Sequence, residues 1–266
     1  MIQRAPRREL APFVSRLWAC EVADGAPGGR ELVLPTGAMH LVIRLDEPLR
    51  VFAALDAAAP ATIGHAVIGG ARATAYVRDV SQPVCSVGAQ LRPGAAALLL
   101  GVPAHVLAEH HTALDDVWGA AAGELRERLA AAGDGAGRLT IFEAALVARL
   151  PRVRGVHPAV AHALAQLEQA SDVSAVVDQV GYSQRRFLDL FHHAVGLTPK
   201  RYGRVQRLQR AIVGMASGSL AAVAHATGFA DQAHLTREFR ALAGLSPGAY
   251  RALAGGARNH VPIKPR

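Results

Sequence analysis

The sequence writes one seven-residue pattern twice: GLTPKRY at 196–202 and GLSPGAY at 244–250, 48 positions apart. Aligning the two extends the match upstream. Phe187 meets Leu235 and Phe191 meets Phe239; further back, at an offset of 47, Val176 meets Val223 and Gly181 meets Gly228. The unit is about thirty residues long and occurs twice, too few copies for a solenoid. Each copy holds a short helical stretch, a Gly followed by an aromatic, a few polar residues and a longer helical stretch. A glycine between two short helices lets the chain turn at positive φ, the pattern of a helix-turn-helix. Between the copies, Thr198 can cap a helix opened by Pro199. Its apolar stripe is Tyr202, Val205, Leu208, Ile212 and Met215, which leaves Lys200, Arg204, Arg207 and Arg210 on the solvent side.

The second helix of each copy should pack through Phe187, Leu190, Phe191 and Ala194, and through Leu235, Phe239 and Leu242. The opposite faces then carry Arg185, Asp189 and His192 in one copy, and Ala233, Arg237 and Arg240 in the other. A helix with a polar, basic outer face can enter the major groove of DNA. Charge points the same way. Residues 1–155 hold 16 Lys/Arg and 15 Asp/Glu, whereas residues 156–266 hold 13 and 6. A near-neutral first part joined to a basic second part implies a polyanionic partner for the second.

Residues from about 158 to 254 resemble the DNA-binding domain of AraC/XylS-family bacterial transcription regulators. The residues that carry the likeness are VGYSQRRFLDLF with GLTPKRY, and SLAAVAHATGFADQAHLTREFR with GLSPGAYR. The resemblance implies two helix-turn-helix units joined by a long helix, reading successive major-groove segments on one face of double-stranded DNA. It places DNA-contacting residues at Gln184, Arg185, Arg186, Asp189, His192, Arg204, Gln232, His234, Thr236, Arg237 and Arg240. The family's base- and phosphate-reaching position in the second unit falls on Arg237; its usual Arg in the first is Asp189 here. Asp189 can accept a hydrogen bond from a cytosine amino group or pair locally with Arg185 or Arg186. Val177 and Ala233 also depart from the usual small residue and Ser. Beyond DNA, the resemblance admits a small-molecule effector, RNA polymerase and a second copy of the chain as partners.

Residues 31–91 have a strand-like texture. In ELVLPTGAMHLVIRL, Met39, Leu41, Ile43 and Leu45 alternate with His40, Val42 and Arg44. An α+β chain is expected: an N-terminal antiparallel sheet or barrel with helices over 94–100, 103–111, 117–132 and 138–150, then an all-α reader. The boundaries are a regulatory domain at 1–152, sensing a ligand or mediating dimerisation, a reader at 153–256, and a disordered tail at 257–266. The linker is PRVRGVHP at 151–158. The stretches VLPTGAMHLVIRL and VGAQLRPGAAALLLGVPAHVLAEHHTALDDVWG also resemble a regulatory domain fused to this family, with Thr36 where relatives have Asp.

Catalytic patterns are sparse. HVLAEHH at 105–111 sets His105 and Glu109 four apart on an expected helix, but it matches neither H-E-x-x-H nor H-x-x-E-H. GHAVIGGARA lacks the Lys-Ser/Thr of a P-loop. Cys20 and Cys85 are too few for a disulfide framework or an all-protein zinc site. No catalytic residue, cofactor or metal is expected. The leading reading is a bacterial cytoplasmic, nucleoid-associated, sequence-specific regulator, with no membrane partner. The competing readings are an enzyme with a catalytic first half and a binder without sequence preference.

Overall fold

The computed structural model describes all residues except 24, 26–28, 153–154, 170–172, 255–257 and 264–266. Part of the expected linker, 151–158, therefore lies outside the described residues. The first half, joined by one strand from the end of the chain, builds two antiparallel sheets. One has six strands in the order β1 (Ile2–Arg4), β2 (Val14–Val22), β9 (Val84–Leu91), β4 (His40–Arg44), β7 (Ala66–Gly69) and β10 (His111–Ala113). The other has five: β11 (His260–Ile263), β3 (Arg30–Val33), β8 (Tyr76–Asp79), β5 (Leu49–Phe52) and β6 (Ala61–Gly64). They form no closed barrel. The alternation in β4 works as its pattern requires: Leu41 and Ile43 are buried against helices, while His40 and Val42 face the other sheet.

Five helices follow: α1 (Ala96–Leu100), α2 (Ala104–Leu107), α3 (Asp115–Trp118), α4 (Ala120–Ala130) and α5 (Gly135–Val147). Here the structure corrects two expectations. The helix expected over 103–111 stops at Leu107, because the backbone then bends into strand β10; Glu109 sits at φ 67 in the bend. His105 and Glu109 thus share no helix, and His111 belongs to the sheet. The helix expected over 117–132 is split at Gly119, and the next one opens early, at Gly135, because the Asp134 carboxylate accepts the Gly137 N–H at 2.7 Å.

The second half is helical: α6 (Pro158–Glu168), α7 (Val173–Gln179), α8 (Gln184–Val195), α9 (Pro199–Gly214), α10 (Leu220–Ala226), α11 (Gln232–Ala243) and α12 (Pro247–Leu253). The repeated heptapeptide is a helix-to-helix joint. Gly196 and Gly244 end α8 and α11 in the left-handed conformation, at φ 88 and 73. The hydroxyls of Thr198 and Ser246 then cap the next helix, accepting from Arg201 N and Ala249 N, with Pro199 and Pro247 in its first turn. The closing tyrosine folds back on the helix just ended: Tyr202 lies 6.0 Å from Phe191 and Tyr250 5.6 Å from Phe239, ring centre to ring centre. The Gly, Thr/Ser, Pro and Tyr of the repeat thus each have a structural duty.

The tail expected to be unstructured is a further correction. Residues 260–263 form β11, which pairs with β3 through His260–Val33 to Ile263–Arg30 and buries Val261 completely. Val261 is the reason: an apolar side chain reaches the core of the second unit along with Leu32 and Val77.

The two turns behave alike. Gly181 and Gly228 lie at φ 70 and 78, and a Cβ at either would meet nothing within 4 Å. A side chain there pays only for the backbone, so Gly228→Val should cost about 1–3 kcal/mol. A melting midpoint equal to the wild type would show that the turn does not need glycine.

Candidate nucleic-acid interface

Both reading helices start from a capping side chain. Ser183 Oγ accepts Arg186 N at 3.4 Å, and Asp231 Oδ1 accepts His234 N at 2.6 Å. Each inner face is fully buried, Phe187 and Phe191 in α8, Leu235 and Phe239 in α11. The outer faces expose Gln184, Arg185, Arg186, Asp189 and His192 on α8, and Gln232, Arg237 and Arg240 on α11. Among the described residues, Arg185, Arg237 and Arg240 have no hydrogen bond or ion pair, so their donors are available. Asp189 likewise forms no ion pair with Arg185 or Arg186. Arg186 stacks over the Tyr182 ring, 5.6 Å from its centre.

Other candidates are engaged inside the protein. Arg204 makes a two-pronged contact with Glu238 of α11, at 2.8 and 3.1 Å, which fixes the second unit on the joining helix α9. Arg207 lies 5.5 Å from the Phe229 ring centre, and Arg210 donates to the Glu168 carbonyl at 2.7 Å, at the end of α6. These three arginines, expected on the solvent side, are half-buried because α9 is packed on more than one flank. His234 Nδ1 accepts Ala230 N at 3.3 Å and its ring abuts Phe229, while the Thr236 hydroxyl donates back to the Gln232 carbonyl at 2.8 Å.

The first half grips this reader at several points. His105 stacks on His192 at 5.1 Å, with His193 5.9 Å away, and α1 and α2 lie along α8. Burial, then His105 and Arg201, hold the His192 imidazole below its ordinary pKa. Glu109 Oε1 pairs with Arg201 of α9 at 2.5 Å. The Leu34–Gly37 turn presents its carbonyls to α9: Gln206 donates to Thr36 O at 3.1 Å and Gln209 to Pro35 O at 2.7 Å. Tyr202 donates to Glu168 at 3.2 Å, and burial followed by that carboxylate raises its pKa. None of these partners is near in sequence, which is why pattern reading missed the contacts that Glu238, Glu109 and His105 make with the helices of the second half.

Residues 161–253 match the model of a helix-turn-helix domain, a span holding both complete reading helices and the joint between them. This span is therefore a helix-turn-helix domain, the kind of unit whose second helix enters the major groove. Residues 2–113 match a domain of unknown function (DUF6597). A search of curated proteins returned no match.

Among solved structures, an AraC-type transcriptional regulator from Chromobacterium violaceum is 24% identical, covering 38% of this chain and 95% of its own, with a TM-score of 0.35. ToxT from Vibrio cholerae O395 is 10% identical, covering 92% of this chain and 99% of its own, with a TM-score of 0.46. The xylose-binding transcription activator xylR is 18% identical, covering 44% and 39%, with a TM-score of 0.32. Among the described residues of this chain, no helix is long and apolar enough to cross a membrane.

Proposed function

We propose that this chain is a transcription regulator of the AraC/XylS type that, acting in the cytoplasm, reads a specific operator by inserting α8 and α11 into successive major-groove segments. The regulatory domain, residues 1–152, then governs how the reader, residues 153–256, is presented. The observation that carries this reading is the pair of equivalently capped helices, each with its aromatic core buried and its polar face outward. The two units divide the work. Arg237, unpartnered and exposed, donates to guanine or phosphate; Asp189 at the matching place accepts from cytosine and repels phosphate. Arg185, Arg186 and Arg240 add phosphate or base contacts, and Arg204 positions α11 through Glu238. A small-molecule effector, RNA polymerase and a second copy of the chain are further partners of this reading.

Arg237→Ala is expected to weaken specific binding by roughly 1–3 kcal/mol and to reduce its salt dependence. Asp189→Ala should leave affinity unchanged or improved while relaxing discrimination over a few base pairs. Titrating both variants against the site and its single-base variants, at two salt concentrations, checks this. Equal weakening by the two substitutions, with base preference intact, would make Asp189 a structural residue and refute the division of labour.

A further inference from the structure

The joining helix α9 crosses from one core to another. In its first half, Tyr202 and Val205 belong to a buried cluster with Phe187 and Phe191 of α8 and with Leu41 and Ile43 of the six-stranded sheet. In its second half, Leu208 and Ile212 belong to a cluster with Leu235 and Phe239 of α11 and with Leu32 and Val77 of the five-stranded sheet. Each sheet thus shares a core with one reading helix and not with the other. The crossing point is held. There the chain passes from one sheet to the other through the Leu34–Gly37 turn between β3 and β4, whose carbonyls take Gln206 and Gln209. Gly37, at φ 75, comes so near that a Cβ would lie 3.0 Å from the Tyr202 ring and 3.2 Å from Gln206 Nε2.

The five-stranded sheet reaches α11 in two ways. Ala75 N, at the entry to β8, donates to the Leu242 carbonyl at 2.8 Å. The second tie is β11. Its Val261 is fully buried in the cluster of α11, and the Arg258 carbonyl just before it accepts the Tyr250 hydroxyl at 2.9 Å. The Asn259 carbonyl accepts Leu34 N at 2.9 Å, and its side-chain oxygen accepts Gln209 at 3.0 Å. His260 contacts Glu31 of β3 at 2.6 Å, and Glu31 pairs with Arg78 of β8 at 2.7 Å. The Leu34–Asn259 bond makes Glu31–Pro262 a pair without hydrogen bonds, so the missing N–H of Pro262 falls on the outer edge. β11 therefore ends the sheet and offers a further strand a poor template. The Arg204–Glu238 pair holds the middle of α11 on α9, and the sheet holds Leu242 one turn further on. Two points fix an orientation that one leaves free to turn.

The other helix, α8, is tied elsewhere. A Cβ at Gly196, which ends α8, would lie 2.9 Å from the Ala104 carbonyl and 3.2 Å from the Ala108 Cβ. The C-terminal end of α8 is thus seated on α2 and the residue after it, beside the His105–His192 stack.

We propose that the two sheets position the two reading helices separately, on either side of the Leu34–Gly37 turn, with β11 as the strap that sets α11. Loosening the strap alters base reading by the second unit alone, and a change at the α2 contact alters reading by the first. The proposal rests on the reading of α8 and α11 as the DNA-reading helices, and it gives residues 1–152 two distinct holds on them. Close-packed clusters carry a displacement to what they touch, and these two meet at a turn clamped on α9. A displacement of a fraction of an ångström or a rotation of some tens of degrees is enough to spoil base contacts.

The test titrates full-length variants against the selected DNA site and its single-base variants, well below each melting midpoint. Val261→Asp puts a charge into the cluster of α11 and expels the strap; His260→Ala removes only the exposed contact with Glu31. Ala108→Leu presses a larger side chain on the end of α8. Val261→Asp should cut discrimination at least about fivefold in the block that Arg237→Ala relaxes, and leave the block that Asp189→Ala relaxes within about twofold. His260→Ala should do the same more weakly, and it decides the matter if Val261→Asp fails to fold. Ala108→Leu should show the reverse pattern. A general loss of stability weakens both blocks alike, so equal relaxation of the two would overturn the proposal. Unchanged discrimination in every variant, or loss from a strap variant in the block of α8, would also overturn it. A wild-type chain without a two-block site counts against the reading of the helices; a two-block wild type whose blocks respond together counts against separate positioning alone.

Discussion

Phe239→Ala should destabilise the protein by about 3–5 kcal/mol, the cost of deleting a fully buried aromatic ring from a core that collapses only partly. Phe239 touches Tyr250 and belongs to one cluster with Leu208, Ile212 and Leu242. That cluster also takes in Leu32, Leu34 and Val77 from the N-terminal part and Val261 from β11. The loss should therefore reach beyond the second reading unit. Urea unfolding followed by tryptophan fluorescence, whose reporters Trp18 and Trp118 both lie in the first half, should show the midpoint falling together with the helical signal. An unmoved fluorescence midpoint would mean that the helical half and the two sheets unfold independently. Arg240→Ala, on the exposed face of the same helix, is the control and should shift neither signal.

Acid should destabilise the folded chain well before its carboxylates titrate. Burial holds His40 down to about 4, helped by His260 and Arg16; burial holds His111 down to about 3, helped by Arg72, His110 and His40. In the unfolded chain both return to the ordinary 6.5 and bind protons first. Their stabilising contribution is thus complete above about pH 6.5 and is lost as the pH falls toward 4 and then 3. At full linkage the His40 depression corresponds to roughly 3 kcal/mol, and His111 adds to it. Urea midpoints measured from pH 8 to pH 4 should be level at first and then decline, and His40→Gln or His111→Gln should flatten the decline. A flat profile down to pH 5 in the wild type would show that neither imidazole is kept neutral.

The reader was legible because its determinants are local. Capping hydroxyls, prolines in the first turn, glycines in the two turns and aromatic residues one helical turn apart all sit within one thirty-residue unit, so repetition exposed them. The strands of the first half were legible from alternation, but their assembly was not. The faces of β2, β4, β3 and β8 that turn inward carry Trp, His, Tyr and Arg, and polarity gave no sign that two sheets would close over them. The helix expected at 103–111 failed because apolar spacing in a short Ala-rich stretch does not separate helix from a bend into an edge strand. Arg204, Arg207 and Arg210 read as solvated because their partners, Glu238, Phe229 and the end of α6, stand far away in sequence. The tail read as unstructured because one buried valine is too little pattern to mark a strand whose partner lies more than two hundred residues earlier.

Selection of bound sequences from random DNA by the full chain tests the central claim most directly. Two reading helices on one rigid joint predict a bipartite site, with two blocks of preferred bases about one helical turn, ~10–10.5 base pairs, centre to centre. Asp189→Ala should relax one block and Arg237→Ala the other. Recovery of no preferred sequence, or of a single block indifferent to one of the two substitutions, would contradict a reader that uses both units.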